Sequence, residues 1–366
     1  MQNNKKKRRE KGTGSITRTP NGKFKGAICI GNGKRVSKTC DTRQEVEQFF
    51  DKVRGTDIKY FTPTTIEEYW EHFIELKENV YRESTLNGIK HFYNKHVVGS
   101  KLAKTKFYDL TTQDINRYFL GLASHGYATS TLSRWRKNFK AILETAVYEG
   151  YLDTNPMSTK GAIRTIKGKP RRHIRTFSSE EVSKLLDKKT LSTKLPLVYQ
   201  IYIMIGMITG ARPQEILALT KEDVTENCVN FNKSLGFRGK LQDGMKTQDS
   251  SYRVVPIDKE RYGKWLVSNI KRLPKDNIFY SFKSQYGYMS VDNVNMRFKK
   301  YTHAVLGSNL GEHHLYDMRH TFATLLITEK HVDVMRVSKL MGHSSIETTL
   351  KYYTHSTDNR VTWSYP

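Results

Sequence analysis

Between His314 and His355 the chain places an arginine, a histidine and two adjacent tyrosines, Arg319, His343 and Tyr352-Tyr353, where a packed helical segment would otherwise be apolar. Phe322, Leu325 and Leu326 follow Arg319 at helical spacing, and Val334, Val337 and Leu340 repeat the pattern. That spacing predicts two amphipathic helices with their apolar faces buried together and the polar residues at their ends. A buried scaffold presenting a guanidinium, an imidazole and a phenol suits a site that grips a phosphate and attacks it.

The run Tyr316-Asp317-Met318-Arg319-His320-Thr321-Phe322-Ala323-Thr324, then Leu340-Met341-Gly342-His343-Ser344-Ser345, then Tyr353-Thr354-His355, resembles the C-terminal signature of the tyrosine recombinases, the phage integrase family. Upstream, Thr209-Gly210-Ala211-Arg212-Pro213-Gln214-Glu215-Ile216-Leu217-Ala218-Leu219 is similar to that family's first arginine motif. Any one block alone would be a weak signal. Together, in order, they cover about half the chain.

Breaking a DNA phosphodiester without water or metal requires a nucleophile, neutralisation of the charge growing on the nonbridging oxygens, and a proton for the departing 5′ oxygen. Arginine forks match phosphate oxygens bidentately, and the resemblance assigns that work to Arg212 and Arg319. Loss of one such donor should cost on the order of 3 to 4 kcal/mol, or a hundred- to thousandfold in rate. Lys246 occupies the place of the family's hairpin lysine, the general acid toward the leaving 5′ hydroxyl, although Lys233, Lys240 and Lys259 lie close in sequence. Nearby guanidinium charges would lower a lysine's pKa and help it release a proton. Glu215, three residues after Arg212, is expected to orient that arginine, and His343 to hydrogen-bond the phosphate or hold the tyrosine.

One departure from the family pattern matters. The usual histidine three residues before the second arginine is replaced by Tyr316. A phenol can donate a hydrogen bond to a phosphate, but with a pKa of about 10 it does not readily accept the nucleophile's proton at neutral pH. The general base stays open, with His313 and His314 as neighbours. The nucleophile also has two candidates. The common family spacing from His343 selects Tyr352, whereas the Tyr-x-His ending selects Tyr353. Tyr353 is the first choice, because Thr348-Thr349-Leu350-Lys351 resembles members with one extra residue.

These groups need a large scaffold. A chain of 366 residues exceeds what one core usually fills. Lysines and arginines number 62 against 36 acids, a formal charge of +26, which points to a polyanionic partner, nucleic acid before an anionic membrane. The most apolar run, Leu197 to Ala211, is short and interrupted by Gln200, so it fits a buried helix rather than a membrane span. Cys29, Cys40 and Cys228 lack metal-ligand spacing, and the N-terminus is charged without an apolar secretion segment, so a reducing cytoplasm is expected.

Residues 1–59 form a basic module with sixteen Lys or Arg against six acids, beginning with Lys5-Lys6-Lys7-Arg8-Arg9. Ser15 to Thr19, Lys25 to Ile30 and Arg35 to Thr39 alternate as strands between the turns Asn21-Gly22 and Asn32-Gly33, and Thr42 to Arg54 should be a covering helix with Val46, Phe49, Phe50 and Val53 inward. This module resembles the arm-site DNA-binding domain of integrases.

Residues 61–157 predict a helical bundle. It opens with a capping box at Thr64 to Glu67 and a stripe of Ile66, Tyr69, Trp70, Phe73 and Leu76, and continues with helices over Ser84 to Lys95, Thr112 to Ser124 and Thr129 to Glu149. Arg134, Arg136, Lys137 and Lys140 would face outward as DNA contacts, and the bundle resembles the family's core-binding domain. Residues 158–176 are basic, contain Arg171 and Arg172, and have the composition of a linker that could track a DNA backbone.

Residues 177–366 should form the catalytic domain, with a capping box at Ser178 to Glu181, a buried helix over Leu197 to Thr209 ended by Gly210, and strands at Cys228 to Asn232 and Tyr252 to Ile257. The expected fold is thus multidomain and mainly α with small sheets. The resemblance implies an integrase that forms a 3′-phosphotyrosyl link and exchanges strands in a homotetramer on double-stranded DNA. It implies no cofactor or metal, and it allows an excision factor or a host DNA-bending protein as a further partner. A type IB topoisomerase and a catalytically idle DNA-binding protein are the alternatives.

Overall fold

The computed structural model describes residues 14–29, 35–55, 64–152, 154–158, 166–169, 175–243, 252–343 and 345–353, with Cys29, Gly55, Tyr108, Asp243, Thr348 and 351–353 described by backbone alone. The run Lys5 to Arg9, the Asn32-Gly33 turn, Arg171, Arg172, Lys246, Thr354 and His355 lie outside them. The chain divides into two compact units, Met1–Arg172 and His173–Pro366.

The first unit begins with β1 (Ser15–Arg18), β2 (Phe24–Cys29) and β3 (Arg35–Cys40), an antiparallel sheet in sequence order. Helix α1 (Arg43–Gly55) lies on it. Thr42 and Glu45 close its N-terminus reciprocally, each side chain accepting the other's backbone N–H at 3.2 and 3.4 Å. Val46, Phe49, Phe50 and Val53 are buried with Ile28 and Val36 in one small core, as the helical stripe predicts.

Four helices follow: α2 (Ile66–Glu78), α3 (Glu83–Phe92), α4 (Thr112–Ser124) and α5 (Thr129–Tyr148). The first capping box falls one residue later than expected, on Thr65 and Glu68. Ile74 is buried where Leu76 was expected, and Leu76 is 40% exposed. At about 100° per residue these two positions flank the stripe on opposite sides, so only the neighbouring helices decide which flank is covered. The aromatic residues are core, with Trp70 and Tyr93 stacked at 3.6 Å and Phe92 and Trp135 at 5.1 Å. Part of the basic segment expected as a linker is seated on this bundle: Ile166 is buried in its core, and the Gly168 N–H donates to Thr129 Oγ1 at 2.9 Å.

The second unit contains α6 (Ser179–Leu185), α7 (Lys188–Lys194), α8 (Leu197–Thr209) and α9 (Pro213–Leu217). Strands β4 (Cys228–Phe231), β5 (Lys233–Leu235), β6 (Leu241–Asp243) and β7 (Arg253–Pro256) pair antiparallel as β4 with β7 and β5 with β6. The β5–β6 hairpin was not expected from sequence, because its strands are three residues each and show little alternation. Helices α10 (Lys264–Lys271), α11 (Val291–Leu306), α12 (Leu315–Thr328), α13 (Val334–Met341) and α14 (Ile346–Tyr353) complete the unit.

Helix α8 is the buried centre, with Ile201, Tyr202, Met204 and Ile205 fully inaccessible. Two glycines one turn apart let α12 approach it closely. A Cβ on Gly206 would lie 2.8 Å from Met318 Cε, and one on Gly210 would lie 2.4 Å from the Phe322 ring. Gly210 also ends α8 in the left-handed conformation, φ +60°.

Helix α12 is buried on two sides, Leu315 and Met318 in the core around α8, Ala323 and Ile327 against Val337 and Met341 of α13. This corrects the single-stripe expectation. Leu325 and Leu326 are only half-buried, and Arg319 lies in the second turn of α12, 3% exposed, rather than at a helix end.

Candidate active site

The close approach of α12 to α8 carries Arg319 into the core, where its charge requires partners. It finds them in backbone carbonyls at two helix ends: Nη1 donates to Gly210 O and Nη2 to Met341 O, both at 2.7 Å. Carbonyls at helix C-termini have no intrahelical donor, so they are available to hold a guanidinium without competition from the helix itself.

Arg212 reaches the same place from the other side. It is the residue before α9, with extended φ and ψ of −70° and 147°. Its Nη1 donates to Glu215 Oε1 at 2.7 Å, its backbone N–H to Glu215 Oε2 at 2.9 Å, and its Nη2 to Gly342 O at 2.9 Å. Glu215 thus accepts from both the guanidinium and the backbone N–H of Arg212. Burial pushes the Glu215 carboxyl pKa up, but Arg253 and then Arg212 outweigh that and hold it below its ordinary value. The carboxylate stays ionised at 2% exposure.

His343 follows the Gly342 turn that ends α13, and its Nδ1 lies 2.8 Å from Thr349 Oγ1 on α14. Burial lowers its pKa first, and the charges of Arg319, Arg212 and Arg253 add to the effect, bringing it to about 3. The ring is neutral at pH 7. An anionic phosphate between the arginines would offset the charges that depress it.

Tyr316, in the first turn of α12, is 47% exposed and makes no hydrogen bond among the described residues, so its phenol is available to a ligand. His313 and His314 serve the fold. His313 is buried against the Phe177 ring at 4.4 Å, and the His314 N–H donates to Asp317 Oδ2 at 2.8 Å to start α12. Among the lysines that compete with Lys246, Lys233 pairs with Asp223 at 2.6 Å and Lys259 with Glu226 at 3.3 Å, while Lys240 is exposed. Tyr352 and Tyr353 both lie on α14, the helix that also carries Thr349.

Of the basic residues expected on the bundle surface, Arg134 and Lys137 are exposed, Lys140 pairs with Glu144 at 3.3 Å, and Arg136 is half-buried, its pKa lowered by burial. Three residues escaped the reading of the sequence. Arg253 pairs with Glu215, Thr349 contacts His343, and His320 lies close enough that its protonated form would lower the His343 pKa. Arg253 left a signal, since it shares the inward register of β7 with Val255 while Val254 points out. An arginine on the apolar side of a strand demands a buried partner.

Residues 175–360 match the phage integrase family. A tyrosine recombinase XerC-like protein of Caldanaerobacter subterraneus subsp. tengcongensis is 24% identical over 369 residues, covering 92% of this chain and 93% of that protein. The ICEBs1 integrase of Bacillus subtilis is 22% identical over 374 residues, covering 94% and 96%. Among solved structures, a lambda integrase tetramer bound to a Holliday junction shares the fold with a TM-score of 0.61 at 16% identity, over 98% of this chain and 99% of that one. No helix among the described residues is long and apolar enough to cross a membrane.

Proposed function

The chain belongs to the phage integrase family of tyrosine recombinases, and from that premise we propose that it is the integrase of a mobile element, cutting and rejoining DNA at specific sites. The observation that carries this reading is the anchoring of two guanidiniums, Arg212 and Arg319, on the adjacent carbonyls of Gly342 and Met341, directly before His343. Two arginines pre-set on one turn match a single phosphate and need not reorganise when charge develops on it.

In this reading the Tyr353 phenol oxygen attacks the phosphorus and the bond to the 5′ oxygen breaks, leaving a 3′-phosphotyrosyl ester and a free 5′ hydroxyl. Lys246 supplies the proton that the 5′ oxygen takes. Arg212 and Arg319 hold the nonbridging oxygens, and Tyr316 donates a hydrogen bond to one of them. The phenol's proton passes to a base, for which His343 becomes competent once phosphate offsets the surrounding guanidinium charge. Attack by the 5′ hydroxyl of a second strand reverses the step and releases the tyrosine, so the bond energy is conserved.

Residues 1–59 would bind arm sites and residues 61–157 the core site, with 158–176 between them and 177–366 carrying the chemistry. The protein would act in the cytoplasm, as a tetramer holding two duplexes. The relatives support this assignment: the ICEBs1 integrase is by name an integrase, and the lambda protein was solved as a tetramer on a Holliday junction.

The test is a nicked suicide duplex carrying the end junction of the element that encodes the chain. A covalent protein–DNA adduct together with recombination of two such sites is expected. Adduct with supercoil relaxation alone would indicate a type IB topoisomerase, and tight binding without adduct an idle binder.

A further inference from the structure

We propose that Arg253 is a positioning residue of this reaction, offsetting the charge of Glu215 so that Arg212 remains a phosphate-binding cation, and backing the Gly342 turn on which Arg212 rests. The inference depends on the reading of Arg212 given above. Arg253 opens β7 and is only 9% exposed. Its Nη2 pairs with Glu215 Oε2, and its guanidinium lies 4.5 Å from the Phe231 ring centre. It also lies against Gly342, where a Cβ would come within 3.2 Å of Arg253 Nη1.

The charge arithmetic explains why such a residue is needed. One buried carboxylate facing one arginine makes a neutral pair, and a phosphate approaching that pair meets little net charge. Glu215 instead receives three donors, the Arg212 guanidinium, the Arg212 backbone N–H and the Arg253 guanidinium. Two cations around one anion leave one positive charge over. In a site of low effective dielectric that surplus acts on the phosphate with little screening. Glu215 can then orient Arg212 without cancelling it. The stacking on Phe231 holds the Arg253 plane, so the Glu215 oxygens and the Gly342 turn are fixed from one side.

Full-length chains carrying Arg253→Gln, Arg253→Lys and Arg253→Gln with Glu215→Gln test this against the unmodified protein, on the suicide duplex and by thermal unfolding. Arg253→Gln should slow adduct formation on the order of a hundredfold while duplex affinity stays within about threefold. Lysine keeps the charge and should recover part of the rate. The decisive readout is the double variant. Removing the uncompensated carboxylate should restore at least about tenfold of the lost rate, whereas a merely structural arginine predicts that a second lesion in the cluster makes matters worse. A double variant no faster than Arg253→Gln overturns the proposal, as does a loss that simply follows the unfolding temperature. If the unmodified chain forms adduct and Arg253→Gln keeps a rate within about threefold of it, this inference alone fails. No adduct from the unmodified chain overturns the function proposed above and this inference with it.

Discussion

Arg212 Nη2 donates a 2.9 Å hydrogen bond to the carbonyl oxygen of Gly342, 130 residues further along the chain. The carbonyl one residue earlier, Met341 O, accepts Arg319 Nη2 at 2.7 Å. The separation of the two guanidiniums is therefore set by consecutive backbone carbonyls, which cannot drift apart as two free side chains would. Gly342 makes that turn possible at φ +63°.

Gly342→Ala should accordingly damage the site more than the fold. Forcing an L-residue into the left-handed region costs about 1 to 2 kcal/mol, and the added Cβ would press on Arg253 at 3.2 Å. Denaturant unfolding should show that loss, and the suicide duplex should show a fall in adduct rate of roughly tenfold or more at temperatures where the variant is fully folded. An unchanged rate would mean that the turn does not set the arginine spacing.

Arg319→Lys keeps a charge but replaces the planar fork, whose two nitrogens each meet a separate carbonyl, with a single nitrogen on a shorter reach. Leaving one buried acceptor without its donor should destabilise the protein by about 1 to 3 kcal/mol. Cleavage should fall by about a hundred- to thousandfold, with non-covalent binding retained. Rates within a few-fold of the unmodified protein would remove Arg319 from the phosphate site.

The histidines predict a pH dependence of stability. His343 and His320 have pKa values of about 3 and about 4 in the fold, each lowered chiefly by burial, against about 6.5 in an unfolded chain. Their folded values lie below the unfolded ones, so the unfolded state binds more protons between the two. Stability is then fully present above about pH 6.5 and is lost as pH falls toward 4, by up to about 1.4 kcal/mol per pH unit for each ring. His343→Gln should flatten the fall between pH 6.5 and 4 in urea titrations, and an identical slope would contradict the neutral, buried ring.

Adjacent residues on a helix point about 100° apart, so only one of Tyr352 and Tyr353 can lie in line with the phosphate. Tyr353→Phe should bind duplex normally and form no adduct, and Tyr352→Phe should still form it. Peptide mass spectrometry placing the phosphotyrosine on residue 352 would reverse the assignment.

Tyr316 stands 47% exposed without a hydrogen bond among the described residues. Replacing it with phenylalanine should change stability by no more than about 0.5 kcal/mol. Loss of one charge-assisted donor to phosphate should nonetheless slow cleavage roughly tenfold, and Tyr316→His should be tolerated. A Phe variant that cleaves normally would confine the phenol to packing.

Much of this protein was legible in its residues because local physics decides it. The stripe Val46, Phe49, Phe50 and Val53 marks a covering helix, the apolar run from Leu197 to Thr209 marks a buried one, and Gly210 marks its end. The four ordered motifs named Arg212, Glu215, Arg319 and His343, and the structure brings these residues together at one turn. What no local pattern could decide is which groups hold them there. Arg319 is clasped by carbonyls of residues 210 and 341, and every residue carries a carbonyl, so composition offers no clue to which are used. Arg253 and Thr349 are ordinary residue types until a strand and a helix from distant parts of the chain place them against Glu215 and His343. Ile74 replaced Leu76 in the core for the same reason: a helix determines its own stripe, but its neighbours determine which edge of that stripe is covered.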